Sequence, residues 1–126
     1  MHFTTIRLTS AVAFATAWGL FDANFVFAAP PPKLDFNRDI QPILSDNCYS
    51  CHGPDKETRK GGLRLDMEAD AKRAVDGVTA IVPGNAAASE AIKRILSTDP
   101  EEVMPTPKSK RKLTTQQRDI LKRWVE

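Results

Sequence analysis

Residues 47–55 read Asn47-Cys48-Tyr49-Ser50-Cys51-His52-Gly53-Pro54-Asp55. This stretch holds both cysteines of the 126-residue chain and its only histidine other than His2. Two thiols three positions apart, with an imidazole directly after the second, suit several chemistries. They serve a dithiol redox couple, part of a zinc site, a disulfide, or a covalent anchor for a prosthetic group. The remainder of the chain decides among these.

Compartment narrows the choice first. His2 and Arg7 give a weakly basic start, and LTSAVAFATAWGLF (residues 8–21) follows as an apolar run of the length of a signal core. Asp22 and Asn24 then interrupt it, leaving it short of the ~20 apolar residues of a bilayer span. Val26 and Ala28 are small residues at the two positions a signal peptidase reads. The expectation is a signal peptide over residues 1–28, a proline-rich linker over 29–34 and one domain over 35–126. The domain is then exported to the periplasm with no stable membrane span after cleavage. An uncleaved membrane anchor is the alternative.

Export constrains the cysteines. A free pair in an oxidising compartment tends to close into a disulfide, but so small a ring gains little from loop closure. A structural zinc site takes four ligands, and here two cysteines and one histidine stand together with no second cluster. A thioredoxin-like dithiol wants a strand–helix context, and the flanking segments do not alternate like strands. Cys-x-x-Cys-His is the attachment pattern of c-type haem, and it uses every reactive residue of the stretch.

Composition agrees. A net charge of +2, with no basic stripe interleaved with aromatics, excludes a nucleic-acid binder. After the signal segment roughly a hundred residues remain, small for a self-sufficient core. Only 7% of residues are aromatic, so a large buried cofactor supplies apolar surface that side chains lack. There is no candidate catalytic nucleophile, no carboxylate pair with a forced spacing and no phosphate loop.

Periodicity predicts short helices and long loops. Phe36, Ile40, Ile43 and Leu44 have helical spacing. Pro42 is tolerated only in a first turn, which places the regular start near Asp39, capped by Asp39 or Asn37. Residues 53–66 read as a polar, glycine-rich loop, and 67–77 as a short helix ended by Gly77. Pro83-Gly84 turns the chain, Asn85 caps, and Ala88, Ile92, Ile95 and Leu96 line one face of the next helix. The three prolines of residues 97–112 break the helical periodicity. Thr114 and Gln117 then form a Thr-x-x-Gln capping box, with Leu113, Ile120, Leu121 and Trp124 sharing one side. Trp124 is expected against the first helix. Loops this long in a compact domain signal function or a bound group.

In a c-type site the two residues between the cysteines let both sulfurs reach one edge of the porphyrin, if the stretch is a helical turn. Cys48 and Cys51 are then the covalent anchors and His52 the proximal iron ligand, through a neutral ring nitrogen. Tyr49 and Ser50 read as spacers. His2 leaves with the signal segment, and methionine is the common sixth ligand. Met67 and Met104 are the candidates. Pro105 and Pro107 stiffen the arm carrying Met104, whereas Met67 lies in a polar stretch. Met104 is therefore the expected distal ligand, with Met67, a lysine, or an open position as alternatives and core packing the plain role of either methionine. Arg64 suits a haem propionate, a surface arginine being its plain alternative. Lys108, Lys110, Arg111 and Lys112 either steer an acidic electron partner or form a solvated face.

DFNRDIQPILSDNCYSCHG (35–53), KGGLRLD (60–66), IVPGNAAASEAIKRI (81–95) and MPTPKSKRKLTTQQRDILKRWV (104–125) occur in this order. Together they resemble the planctomycete-type cytochrome c domain, a branch of the class I cytochrome c fold. The resemblance spans about Leu34 to Glu126. It implies an all-α, small cytochrome c-like fold, with three to four short helices and long loops around one covalently bound haem c. It also implies that Cys48, Cys51, His52 and Met104 hold that haem, and that such a domain often heads a longer exported protein with further domains downstream. Two departures stand out. The glycine that usually closes the last helix is absent, and Met104-Pro105-Thr106-Pro107 replaces the family's Met-Pro-Pro. The expected function is single-electron transfer with redox proteins, without substrate turnover by the module. The alternatives are an electron-accepting domain of a larger oxidoreductase or hydrolase-like enzyme, and a haem-based sensing or binding module.

Overall fold

The computed structural model describes residues 31–126, so the expected signal peptide (1–28) and the start of the linker lie outside the described residues. Pro32–Glu126 forms one compact unit.

The first helix begins earlier than its proline suggests. The Asp35 carboxylate accepts from the Arg38 N–H at 2.9 Å, while Asp35's own N–H donates to the Asp39 carboxylate at 2.8 Å. This reciprocal pair caps the chain at Phe36 rather than near Asp39. Its opening turn, Phe36–Ile40, is a π turn in which the Gln41 N–H reaches back to the Phe36 carbonyl. Helix α1 (Gln41–Asn47) follows, with Pro42 among its first two positions. Proline has no N–H to donate and its ring crowds the carbonyl four residues back. The wider π turn immediately before Pro42 accommodates both effects.

α1 runs into the single turn α2 (Tyr49–His52), and α3 (Glu68–Lys72) comes after the long loop. The chain then departs from the expected all-α pattern. Strands β1 (Ala74–Val75) and β2 (Val78–Thr79) form an antiparallel hairpin, with Ala74 opposite Thr79 and Val75 opposite Val78. Asp76 (φ 51°) and Gly77 (φ 80°) make its two-residue loop. Asp-Gly is the preferred pair where both central residues need positive φ, so Gly77 closes a hairpin rather than a helix. Among the described residues the fold is mostly helical with one small two-stranded sheet.

Helix α4 (Glu90–Leu96) starts at Ser89, not Asn85. The Asn85 side chain instead accepts from the Ala88 N–H at 2.9 Å, one turn ahead of the helix. Ile92 and Ile95 are buried as expected, but Ala88 is exposed and Leu96 is 47% exposed. A helix starting at Glu90 keeps only part of the stripe drawn from Ala88. Helix α5 (Thr115–Val125) carries the expected capping box: the Gln117 N–H donates to Thr114 Oγ1 at 3.1 Å and the Thr114 N–H to Gln117 Oε1 at 2.9 Å.

Ile40, Ile43 and Leu44 from the first helix meet Ile92 and Ile95 of α4 and Leu113, Leu121 and Val125 from the C-terminal segment in one core. Trp124 packs against Phe36, ring centroids 5.8 Å apart, which joins the last helix to the first. Ile120 and Trp124 are half-buried beside this core.

Candidate haem site

Cys48 is the junction of α1 and α2. Its N–H ends α1 on the Leu44 carbonyl at 2.7 Å, and its own carbonyl accepts from Cys51 at 3.0 Å and His52 at 2.8 Å. Tyr49, Ser50, Cys51 and His52 thus wind one turn hung from Cys48, and residues three and four apart on such a turn share a side. The next residue has to be glycine. A Cβ on Gly53 would stand 2.3 Å from the Tyr49 carbonyl oxygen, so any larger residue forces the turn apart.

The following loop folds back onto this turn. Lys60 donates its N–H to the Cys51 carbonyl and Leu65 to the His52 carbonyl, both at 2.8 Å. Arg59 reaches the Gly53 carbonyl at 3.0 Å and the Pro54 carbonyl at 2.7 Å. Gly61 (φ 59°) and Gly62 (φ 62°) supply the left-handed backbone that the reversal takes.

Two cavities open at this turn, of about 210 and 250 Å³. Both are lined by Cys48, His52, Lys60, Ile95 and Met104; the first extends between α1, α4 and α5, and the second is bounded by Cys51, Ser50 and the Pro105–Ser109 arm. The first cavity is walled by leucine, isoleucine, alanine and Trp124, and its charged residues are Lys60, Glu90 and Arg94. Arg94 donates to Glu90 at 2.8 Å, an i,i+4 pair on α4.

The site residues read from the sequence divide into two groups. Cys48, Cys51, His52 and Met104 come together around these cavities. Met104 is half-buried, and its N–H donates to the Arg94 carbonyl at 3.1 Å. Met67 is 45% exposed and lines neither cavity. Arg64 also stands outside both, with its guanidinium on the Asp66 carboxylate at 3.1 and 2.5 Å. Lys60, Glu90 and Arg94 were not singled out by sequence reasoning. The i,i+4 spacing of Glu90 and Arg94 around Ile92 was the available sign for the last two.

Electrostatics favour uncharged forms here. Burial pushes the Cys48 thiol up to about 11, opposed by the nearby Arg111 guanidinium and reinforced by Cys51. Burial lowers the His52 pKa, with the Lys60 main chain pulling weakly the other way. No hydrogen bond of proper geometry reaches His52 Nδ1, which is buried without a partner. Buried polar atoms rarely stay unpaired without a functional reason. Both cysteines are free thiols. Among the described residues no three His, Cys, Asp or Glu side chains converge as a metal-binding cluster.

Unbridged thiols on one turn, an imidazole with an unpartnered nitrogen, an apolar cavity and a thioether from a separate segment fit the donor set that a c-type haem takes. Residues 48–108 match the family model described as Planctomycete cytochrome C, which supports a planctomycete-type cytochrome c domain over that stretch. α1 precedes the matched stretch and α5 follows it. No curated protein and no solved structure matches the chain.

Proposed function

We propose that this chain is a c-type cytochrome module that carries single electrons on one covalently attached haem c in an exported compartment. The Cys48–His52 turn and Met104 come from separate segments yet line one apolar cavity, and this observation carries the reading. Cys48 and Cys51 would form the two thioether links, His52 the proximal iron bond and Met104 the distal one. When bound, the haem iron supplies a one-electron ferrous–ferric couple whose potential a methionine ligand raises.

The chain's own residues hold and shield. Cys48's carbonyl fixes the turn that presents both thiols and the imidazole. Leucine and isoleucine walls exclude water, which favours the less charged state of the site. Arg94 holds the Met104 main chain through its carbonyl, while its guanidinium is paired with Glu90 on the same wall. Lys60 is the cation of that wall without a carboxylate partner among the described residues, and it suits a haem carboxylate; Arg94 and Arg64 would fill that role only by sharing their guanidinium groups with Glu90 and Asp66. The module turns over no substrate. Its partners are redox proteins. The exposed Lys108, Lys110, Arg111 and Lys112 run follows the arm that bounds the second cavity and favours an acidic docking surface. Export rests on residues 1–28, outside the described residues; among the described residues no helix is long and apolar enough to cross a membrane.

The test is the intact mass of the full chain exported in a host with cytochrome c maturation machinery. An added mass of one haem that survives denaturation is expected. Replacing both Cys48 and Cys51 by alanine removes it. A folded, stable and colourless wild-type product would overturn the reading.

A further inference from the structure

One side-chain hydrogen bond differs in kind from the rest. Arg111 Nη1 donates to Ser50 Oγ across 61 positions of sequence. Among the described residues, the other side-chain hydrogen bonds join partners no more than seven positions apart, as Val82 and Ser89 do. Ser50 is one of the two residues between the cysteines that spacing alone makes fillers. Arg111 follows Met104 at the far end of the proline-bearing arm.

The arm between them is wound so that it returns to the cysteine turn. Ser109 donates its N–H to the Thr106 carbonyl at 2.9 Å and its hydroxyl to the same oxygen at 2.7 Å. Lys110 takes a left-handed conformation (φ 57°), and the Arg111 N–H then donates to Ser109 Oγ at 3.2 Å. At the other end the Met104 N–H is held by the Arg94 carbonyl at 3.1 Å. The arm is therefore fastened to α4 by main chain and to the cysteine turn by a side chain. Arg111 makes no ion pair with a carboxylate among the described residues, so no carboxylate competes with Ser50 for its guanidinium there.

We propose that Arg111 is a positioning residue: through Ser50 it clasps the Met104 arm onto the Cys48–His52 turn and so holds the distal ligand in place. The inference rests on Met104 being that ligand. A thioether is a neutral, weak donor, and its occupancy depends on its effective concentration at the metal. A segment fastened close to the metal gives a higher effective concentration than the same segment left loose there. Loss of the clasp leaves the arm unfastened to the cysteine turn between the Arg94 contact and the buried Leu113.

The experiment uses the full haem-loaded chain and its Arg111→Ala, Arg111→Lys, Ser50→Ala and Arg111→Ala/Ser50→Ala variants, with Lys56→Ala, an exposed residue outside the arm, as a control for lost charge. Two readouts are taken: amide hydrogen exchange over residues 104–112, and the apparent affinity of ferric protein for added imidazole, followed by absorbance. Each single alanine change at the clasp should raise both by about fivefold, the size of one ordinary net hydrogen bond. The double variant should add nothing further, lysine should restore part of the effect, and Lys56→Ala should leave both readouts unchanged. Unchanged exchange in Arg111→Ala, or effects that simply add in the double variant, would overturn the clasp. Faster exchange with unaltered imidazole affinity upholds the clasp as a fastener of the arm and removes Met104 as the ligand it serves.

Discussion

The main-chain N–H of Met104 donates to the carbonyl of Arg94 at 3.1 Å, at the C-terminal end of helix α4. The Arg94 carbonyl, in the last turn of the helix, also accepts from the Ser97 N–H at 3.3 Å, so the arm carrying Met104 shares a terminal carbonyl of α4 through its second lone pair. The thioether is thereby placed at the cavity wall by main chain, while Met67 starts α3 on the exposed side.

From this placement, Met104→Ala should abolish the methionine-to-iron charge-transfer absorbance of the ferric protein and let carbon monoxide bind the ferrous protein at once. Met67→Ala should retain the band and the resistance. Visible absorbance of the two purified variants decides the matter, and a band that disappears with Met67 would reverse the assignment.

Gly53 and Gly61 should respond differently to alanine. A Cβ at Gly53 meets the Tyr49 carbonyl at 2.3 Å, whereas at Gly61 it meets nothing within 4 Å and only the positive φ of 59° opposes it. Gly53→Ala should cost about 3 kcal/mol or more, because the cysteine turn itself has to move. Gly61→Ala should cost about 1 kcal/mol of backbone strain. Urea unfolding of the haem-loaded variants, followed by circular dichroism, measures both; equal losses would contradict the steric account.

The first helix should weaken in acid. The Arg38 guanidinium, and after it the Asp35 N–H, hold the Asp39 carboxyl down at about 2, below its ordinary 3.8. The folded value lies below the unfolded one, so the unfolded chain binds more protons between them. Asp39's stabilising contribution is complete above about 4 and is lost as pH falls from 3.8 towards 2. Asp39→Asn should flatten that part of the stability–pH curve and leave the curve above pH 5 parallel to wild type. Denaturant midpoints across pH 2–6 give the comparison.

The capping box of α5 gives a fourth expectation. Thr114→Ala removes the acceptor for the Gln117 N–H at 3.1 Å and should cost about 1 kcal/mol. Thr114→Ser keeps the acceptor and should stay within a few tenths of wild type. Thermal melts of the two variants separate loss of the cap from loss of the threonine methyl.

Much of the site could be read without coordinates because its parts are neighbours in the chain. Cys48, Cys51 and His52 stand together, and one helical turn is enough to bring them to one side. The Thr114–Gln117 cap is likewise a matter of adjacent residues and was legible for the same reason. The hairpin was missed although Asp76-Gly77 is a strong turn signal, because its strands are two residues each and carry no alternation to detect. The π turn escaped because Pro42 indicates where an α ladder is awkward, not that an Asp35–Asp39 pair has already capped the chain upstream.

Residue chemistry and near-neighbour spacing therefore settled the cysteine–histidine turn, the helical character and the last helix's start. Three-dimensional closure decided that the proline-flanked Met104 reaches the cavity while Met67 does not, that Lys60 and the Glu90–Arg94 pair stand at its wall while Arg64 turns to Asp66, and that Ser50 meets Arg111. The reason is physical: a helical turn is specified by bonds among residues a few positions apart, whereas a cavity wall forms only when distant segments bury their apolar faces against one another, and no local pattern records which of them will meet.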